Sequence, residues 1–522
     1  MVDYIVVGGG SAGCVIANRL TEDPNTSVLL LEAGQPDHQR EIHIPAAYSQ
    51  VFKSDLDWAY ETEPQACLYN RQLYWPRGKV LGGSSAINAM IYIRGHRMDY
   101  NKWRDLGATG WAWNDVLPYF KKAERRERED AEGYGTGGFL NVADQISPNE
   151  LTETFIRAAQ KMGIQATSDF NNGEQDGVGY YQVTQKHGKR HSTAAAYIKP
   201  ILHRSNLSIE TEAHVTRILF DDKQAIGVEY VQNHQTQTVR CNAEVILCGG
   251  TINSPQLLML SGIGNSAHLQ SHGIEVIADV KGVGQNLQDH VVCGVVHEST
   301  QPVSLANAQS ILNVLRYMVT KTGPLTSNVG EGGLFWRSDP NLPKPDVQFH
   351  FGPIHYLDHG LTKLEGHGYI LGGLVLNPYS IGEITLKSPD PMSYPAINPN
   401  YLSDDRDLEV LLKATKFADA ITTHAEFDPY RGKRIRPESD ITSDDNWRDF
   451  IRHNAETLYH PVGTCKMGTD DMAVVDPDLR VIGVEGLRVV DASIMPSVPS
   501  GNTNAPVIML AEKGADLIKA CQ

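Results

Sequence analysis

The chain has 522 residues, 41% hydrophobic and 21% charged, a make-up that predicts a soluble globular protein of about three domain-sized units, large enough to bury a bulky cofactor. Lys and Arg number 46 against 62 Asp and Glu, a formal net charge of −16; this argues against a nucleic-acid partner, because neutralising phosphates takes a basic face. No run approaches the roughly twenty apolar residues that cross a bilayer, and with a strand pattern beginning almost at Met1 the expectation is no signal peptide.

The seven cysteines are scattered without a C-x-x-C pair. They indicate neither a disulfide framework nor a zinc site, and the expectation is a reducing, cytoplasmic setting with no metal.

Residues 2–32 read VDYIVVGGGSAGCVIANRLTEDPNTSVLLLE. Asp3 to Val7 is an apolar, β-branched run that predicts a buried strand, Ala12 to Leu20 has the spacing of a short helix, and Ser27 to Leu31 predicts a second strand that ends at Glu32. Between the first strand and the helix, Gly8, Gly10 and Gly13 form G-x-G-x-x-G. The first glycine permits a tight turn, the second lets backbone approach a pyrophosphate, and the third lets helix and strand pack closely. The phosphates then meet the positive end of the helix dipole, and Glu32 can accept hydrogen bonds from ribose hydroxyls.

Residues 35–80 form a long, aromatic-rich excursion that suggests a cofactor lid (Trp58, Tyr60, Tyr69, Tyr74, Trp75). In RGKVLGGSSAINAM, Arg77 to Met90, the pair Gly82 and Gly83 precedes an expected helix. That pair is either a second point of ligand approach or a glycine turn with a serine cap. The mixed charge run Lys121 to Glu132 predicts an exposed helix end. From Leu207 to Cys248, short β-runs broken by a turn predict a small antiparallel sheet returning to a core strand, followed by a helix from Ser254 to Leu260.

The texture changes over 299–454. DVQFHF (346–351), YILGGLVLN (369–377) and GEITLK (382–387) predict strands of an antiparallel sheet, with helices over Asp405–Thr423 and Asp444–Ala455. LYHPVGTCKMG then places His460 on a short loop, as either a catalytic or a structural histidine. In GLRVVDASIMPSVPSGNTNAPVIMLAEKGADLI, a strand ends at Asp491, a loop carries Asn502 and Asn504, and an apolar helix closes the chain. Asp491 can hold a sugar or ribityl hydroxyl, or simply cap a helix.

Together these segments resemble the glucose–methanol–choline family of flavin oxidoreductases over essentially the whole chain; its two signature stretches correspond to GKVLGGSSAINAM and GTINSPQLLMLSGIG. The resemblance implies an α/β and α+β fold. A discontinuous, Rossmann-like FAD-binding domain (1–150, 195–298 and 455–522) would accompany a substrate domain on a mostly antiparallel sheet flanked by helices (151–194 and 299–454). It implies His460 and Asn502 as the catalytic pair. FAD would be held by Gly8, Gly10, Ser11, Ala12, Gly13, Glu32, Ala33, Gly82, Gly83, Asn88, Val215, Asp491, Thr503 and Asn504. Members that tether FAD covalently use a histidine where this chain has Ile87, so the resemblance implies non-covalent FAD.

The implied reaction is oxidation of primary alcohols to aldehydes, with His460 taking the hydroxyl proton as hydride passes to the flavin. Glu331 and Trp58 match positions where choline-oxidising relatives place a carboxylate and an aromatic ring around the trimethylammonium, so choline stays open beside neutral alcohols. Oxygen or a quinone is the expected acceptor, the latter with peripheral membrane contact. The family also holds lyases and fatty-acid photodecarboxylases, a non-redox alternative. Photodecarboxylases rely on a Cys and an Arg, where this chain aligns Gly330 and His350, which argues against that activity.

Overall fold

The computed structural model describes residues 2–128 and 133–521. The strand Val2–Val7 lies inside a seven-stranded sheet, paired in parallel with Val28–Leu31 on one side and Gln235–Leu247 on the other. Leu487–Val489 adds a further parallel strand beside Gln235–Leu247, so the last part of the chain completes a sheet begun by the first. Val28–Leu31 is buried at every position, the pattern of a strand covered on both faces.

The 13-residue strand Gln235–Leu247 serves two neighbourhoods. Its polar first half alternates in exposure and pairs antiparallel with Gln224–Gln232, while its apolar end Val245–Leu247 is fully buried in the parallel layer. The expected small antiparallel sheet is therefore present over His214–Asp221, Gln224–Gln232 and Gln235–Leu247. Leu207–Glu210 departs from it and pairs in parallel with Val28–Leu31.

The helix Ser11–Leu20 follows the glycine turn. Gly8 has φ +99°, and a Cβ on Gly13 would lie 1.9 Å from the Gly8 carbonyl oxygen, so the close strand–helix approach admits only glycine at Gly13. Arg19 on this helix makes a two-pronged, buried ion pair with Glu512 on the closing helix Asn504–Lys519, at 2.7 and 2.8 Å. That contact ties the two ends of the sequence together.

A second sheet of seven strands is antiparallel throughout. Its order is Arg431–Arg436, Val291–Ser299, His367–Val375, Val347–Gly352, Gly332–Trp336 and Gly177–Tyr180, with Glu456–Thr457 also paired to Val291–Ser299. Helices Glu150–Lys161 and Asp405–Thr422 cover one face, through stacked rings such as Phe155 on Phe351 and Trp336 on Phe417. Side chains alternate along a strand, so the opposite face carries Val292, Gly294, Val296, His350, Gly352, Ile370 and Gly372, and these line the central cavity. Three glycines on that face leave room for a ligand.

Several expectations need correction. Residues 382–387 do not join the large sheet: only Glu383–Thr385 is a strand, paired with Ala396–Asn398. Gly82 and Gly83 begin no α-helix but a single tight turn, Gly83–Ala86. The run from Lys121 is not an exposed helix end, for the helix stops at Ala123 and buried Glu124 and Arg126 continue as a short strand; residues 129–132 of that run lie outside the described residues. The strand Val291–Ser299, whose residues to 298 the sequence reading assigns to the cofactor segments, hydrogen-bonds within the antiparallel sheet.

Candidate active site

Between the two sheets lies a cavity of about 420 Å³. One end is the N-terminal glycine turn. Gly8, Gly10, Ser11, Ala12, Glu32 and Ala33 line it, together with Val215 from the edge strand His214–Asp221. Glu32 sits at the end of its strand with one carboxylate oxygen accepting from the Gly9 amide and the other from the Gly34 amide, each at 2.7 Å. Burial holds its pKa up at about 7, against those two hydrogen bonds. Each oxygen keeps a lone pair for a further donor.

The second glycine loop packs directly on the first: the Gly82 amide donates to the Gly9 carbonyl at 2.7 Å, and a Cβ on Gly83 would lie 2.7 Å from the Gly10 Cα. Gly83 and Asn88 line the cavity, whereas Gly13 and Gly82 serve as backbone behind it. The Asn88 side-chain oxygen accepts from the Met90 amide and from Arg190. From the far end of the chain, Asp491, Thr503 and Asn504 complete the wall, and the Ser11 hydroxyl donates to Asn504 Oδ1 at 2.8 Å. Asp491 is a double cap: Oδ2 accepts from Gly250 N and Ser254 Oγ, and Oδ1 from Ser493 N and Oγ. The glycine cradle, the two helix N-termini at Ser11 and Asn504, and Glu32 at the strand end form a donor set that fits a dinucleotide such as FAD. Ile87 also lines the cavity, and its aliphatic side chain offers no atom for a covalent flavin bond.

At the other end, His460 and Asn502 meet. Asn502 Nδ2 lies 3.2 Å from His460 Nε2, and His460 Nδ1 lies 2.9 Å from His290 Nδ1. His290 Nε2 in turn faces the Leu376 carbonyl at 2.9 Å. A carbonyl only accepts, so His290 carries its proton on Nε2 and its Nδ1 is a bare acceptor. His460 must then donate from Nδ1, which leaves the lone pair on its Nε2. Gln348 Nε2 donates to Asn502 Oδ1 at 3.3 Å, which orients the amide so that its NH2 group faces that lone pair. These assignments follow from the hydrogen-bond network.

The loop bearing His460 is pinned from below. Its amide donates to Asp289 Oδ1 at 2.7 Å, while Thr457 and Tyr401 hydroxyls donate to Asp289 Oδ2. Burial, with His290, His350 and Arg77 nearby, holds the His460 pKa well below 6.5; burial likewise brings His290 to about 4 and His350 to about 3. The imidazole is thus neutral near pH 7, with its basic nitrogen aimed at the cavity. His350 Nε2 is buried without a hydrogen-bond partner among the described residues.

The two residues matched to a choline cage do not meet. Trp58 lines the cavity stacked on Tyr60, with His214 at its edge and Lys79 over its ring, beside Val215. The fully buried Glu331 accepts from Ser327 Oγ (2.5 Å), Thr152 Oγ1 (2.7 Å) and Asn149 N (2.8 Å), and it is not among the residues lining the cavity. Sequence reading missed His290, Asp289 and Gln348. The one available signal was the polar triple Gln288-Asp289-His290 placed directly before an apolar strand.

Among the described residues, no three His, Cys, Asp or Glu side chains cluster as a metal site, and no helix is long and apolar enough to cross a membrane.

Two family models, both described as GMC oxidoreductase, match residues 2–292 and 378–511. The chain is 47% identical to an "Alcohol dehydrogenase [acceptor]" of Pseudomonas putida, covering 99% of this chain and 96% of that protein. It is 46% identical to "Choline dehydrogenase, mitochondrial" of Homo sapiens, covering 99% and 89%. Among solved structures, pyridoxine 4-oxidase from Mesorbium loti superposes with a TM-score of 0.89 at 32% identity, covering 99% of both chains. With its glycine cradle and paired His460 and Asn502, this chain belongs to the GMC oxidoreductase family, FAD-dependent enzymes acting on CH–OH groups.

Proposed function

We propose that the protein oxidises primary alcohols to aldehydes, with His460 as general base and Asn502 as its partner on the substrate oxygen. The observation that carries this reading is the hydrogen-bond chain from Leu376 O through His290 to His460 Nε2 and Asn502. An alcohol O–H is far too weak an acid to ionise unaided near pH 7. A neutral imidazole with its lone pair fixed on Nε2 takes that proton as the α-carbon loses hydride. Asn502 Nδ2 donates to the developing alkoxide, and so does His460 once protonated. His350, whose Nε2 has no hydrogen-bond partner among the described residues, lines the same cavity and donates to that oxygen when its proton sits on Nε2. Bound FAD supplies the hydride acceptor.

In this reading Gly8, Gly10, Ser11, Ala12, Glu32, Ala33 and Val215 hold the adenosine and pyrophosphate, while Gly13 shapes the turn from behind. Gly83, Asn88, Asp491, Thr503 and Asn504 hold the ribityl chain and flavin, with Gly82 joining the two glycine loops behind them. The cofactor-binding domain comprises 1–150, 195 to about 290 and most of 455–522, and the antiparallel sheet carries the substrate. FAD is dissociable: acid precipitation releases the yellow colour to the supernatant, and a coloured pellet would overturn this. Anaerobic mixing with primary aliphatic and aromatic alcohols and choline should bleach the flavin absorbance, and absence of bleaching with every alcohol would sink the assignment. Reoxidation by O2 against a quinone analogue then identifies the acceptor.

Glu331 acts structurally, because three protein donors hold its carboxylate and it does not line the cavity. Glu331→Gln should leave the ratio of kcat/KM for choline to that for a neutral alcohol unchanged within about twofold, while lowering stability by about 1 kcal/mol through weakened hydrogen bonds. A selective loss on choline would place Glu331 at the substrate.

A further inference from the structure

One helix of the protein presents its apolar stripe to solvent. In Ile311–Thr320, the side chains of Ile311, Leu312, Leu315, Met318 and Val319 recur at helical spacing on one face, and Ile311 and Val319 are 80% and 82% exposed. The opposite face is anchored. Tyr317 is buried against a cluster containing Tyr48, Phe52 and Val329, all three of which line the cavity, and its hydroxyl donates to Gly188 O at 3.1 Å. The stripe is therefore fixed in place over the wall of the active-site cavity.

The charge around the stripe runs against that of the whole molecule. In a chain with a net charge of −16, no Asp or Glu occurs from residue 299 to 330, where Arg316 and Lys321 are the only charged residues. Gly188 sits at the tip of the hairpin formed by Gln185–Lys186 and Lys189–Arg190, which brings Lys186 and Lys189 to the same end of the helix. No Asp or Glu occurs from 177 to 209 either. An exposed apolar stripe flanked by cations and free of carboxylates within its own segments matches a surface that is apolar inside and anionic at its rim.

We propose that helix Ile311–Thr320 is an interfacial anchor that seats the protein on an anionic phospholipid bilayer, with the stripe in the acyl boundary and Arg316, Lys321, Lys186 and Lys189 at the headgroups. A second copy of this chain fits less well, because its approach would bring like cations together across the interface. Seating this helix places the wall of the catalytic cavity at the lipid surface, where lipid-soluble alcohols and acceptors concentrate.

The test is flotation of the FAD-loaded full chain with vesicles. Wild type should float with vesicles of phosphatidylcholine containing about 30% phosphatidylglycerol, and float about tenfold less with phosphatidylcholine alone or in high salt. The variant Leu312→Ser/Met318→Ser/Val319→Ser should lose about tenfold or more of the binding, and Arg316→Gln/Lys189→Gln should lose its salt-sensitive part. All these side chains are exposed, so melting temperature and turnover with a soluble dye should match wild type. Failure of wild type to float, or equal flotation of the apolar variant, overturns the proposal. So does a wild-type dimer that the apolar variant converts to monomer. Flotation reads no catalysis, so its outcome is independent of the assigned reaction.

Discussion

His460→Ala is expected to lower kcat by about a thousandfold, the scale of a lost general base, while flavin content and melting temperature stay near wild type. That factor corresponds to about 4 kcal/mol of transition-state stabilisation. The reason is positional: His460 Nε2 carries the lone pair, faces Asn502, and borders the cavity. The pH dependence follows from the same environment. Burial depresses the His460 pKa well below 6.5, so the base stays unprotonated from alkaline pH down through about pH 6.5, and kcat/KM should fall only below that. An acid limb centred above pH 7, or near-normal turnover by His460→Ala in a flavin-loaded preparation, would remove His460 from the reaction.

Stability should follow the neighbouring imidazoles. His290 and His350 titrate near 4 and 3 when folded and near 6.5 when unfolded. Below pH 6.5 the unfolded chain binds protons that the folded protein refuses. Their effect is therefore absent above about 6.5, and it destabilises progressively as pH falls toward 4.

The second large effect is expected at His290, which accepts from His460 Nδ1 and in the proposed reaction acts as a positioning residue. His290→Ala leaves the Nδ1 proton of His460 without an acceptor and frees the ring to adopt the other tautomer, in which Nε2 is already protonated. A loss of about 10- to 100-fold in kcat is expected, as for other partners that orient a functional histidine. Two variants separate this role from simple packing. His290→Asn restores an acceptor and should recover part of the rate. His290→Asp holds the same tautomer but places a carboxylate beside the ring, so the acid limb of kcat/KM should move to higher pH. If Asn recovers nothing over Ala, and Asp leaves the pH profile where it was, His290 is a packing residue.

What was legible in the sequence follows the range of the interactions involved. G-x-G-x-x-G between two apolar runs is a local rule, and the glycines sit where the turn and the close packing require them. The helices at Asp405 and Asp444 were equally plain, since 3.6-residue spacing and an acidic start suffice. Residues 382–387 misled because alternation is a property of any half-buried strand and says nothing of its partner; this one pairs with Ala396–Asn398. The charge run from Lys121 misled for the opposite reason. Glu124 is charged yet fully buried, because the buried guanidinium of Arg94 meets it across thirty residues of sequence.

The sequence alone determined the residues on offer: a glycine turn, an acidic strand end, one histidine on a loop and an asparagine on another. Each depends on residue type and short spacing. Only the tertiary structure decided which nitrogen of His460 carries the lone pair. That choice passes through His290, 170 positions earlier, and through the carbonyl of Leu376 on a different segment. A tautomer is fixed by the partner of the opposite nitrogen, and no local pattern encodes a partner that the sheet delivers from elsewhere. The same holds for the helix at Ile311. Its apolar spacing would ordinarily mark a buried face, and only the packing of Tyr317 against the cavity wall turns that face outward.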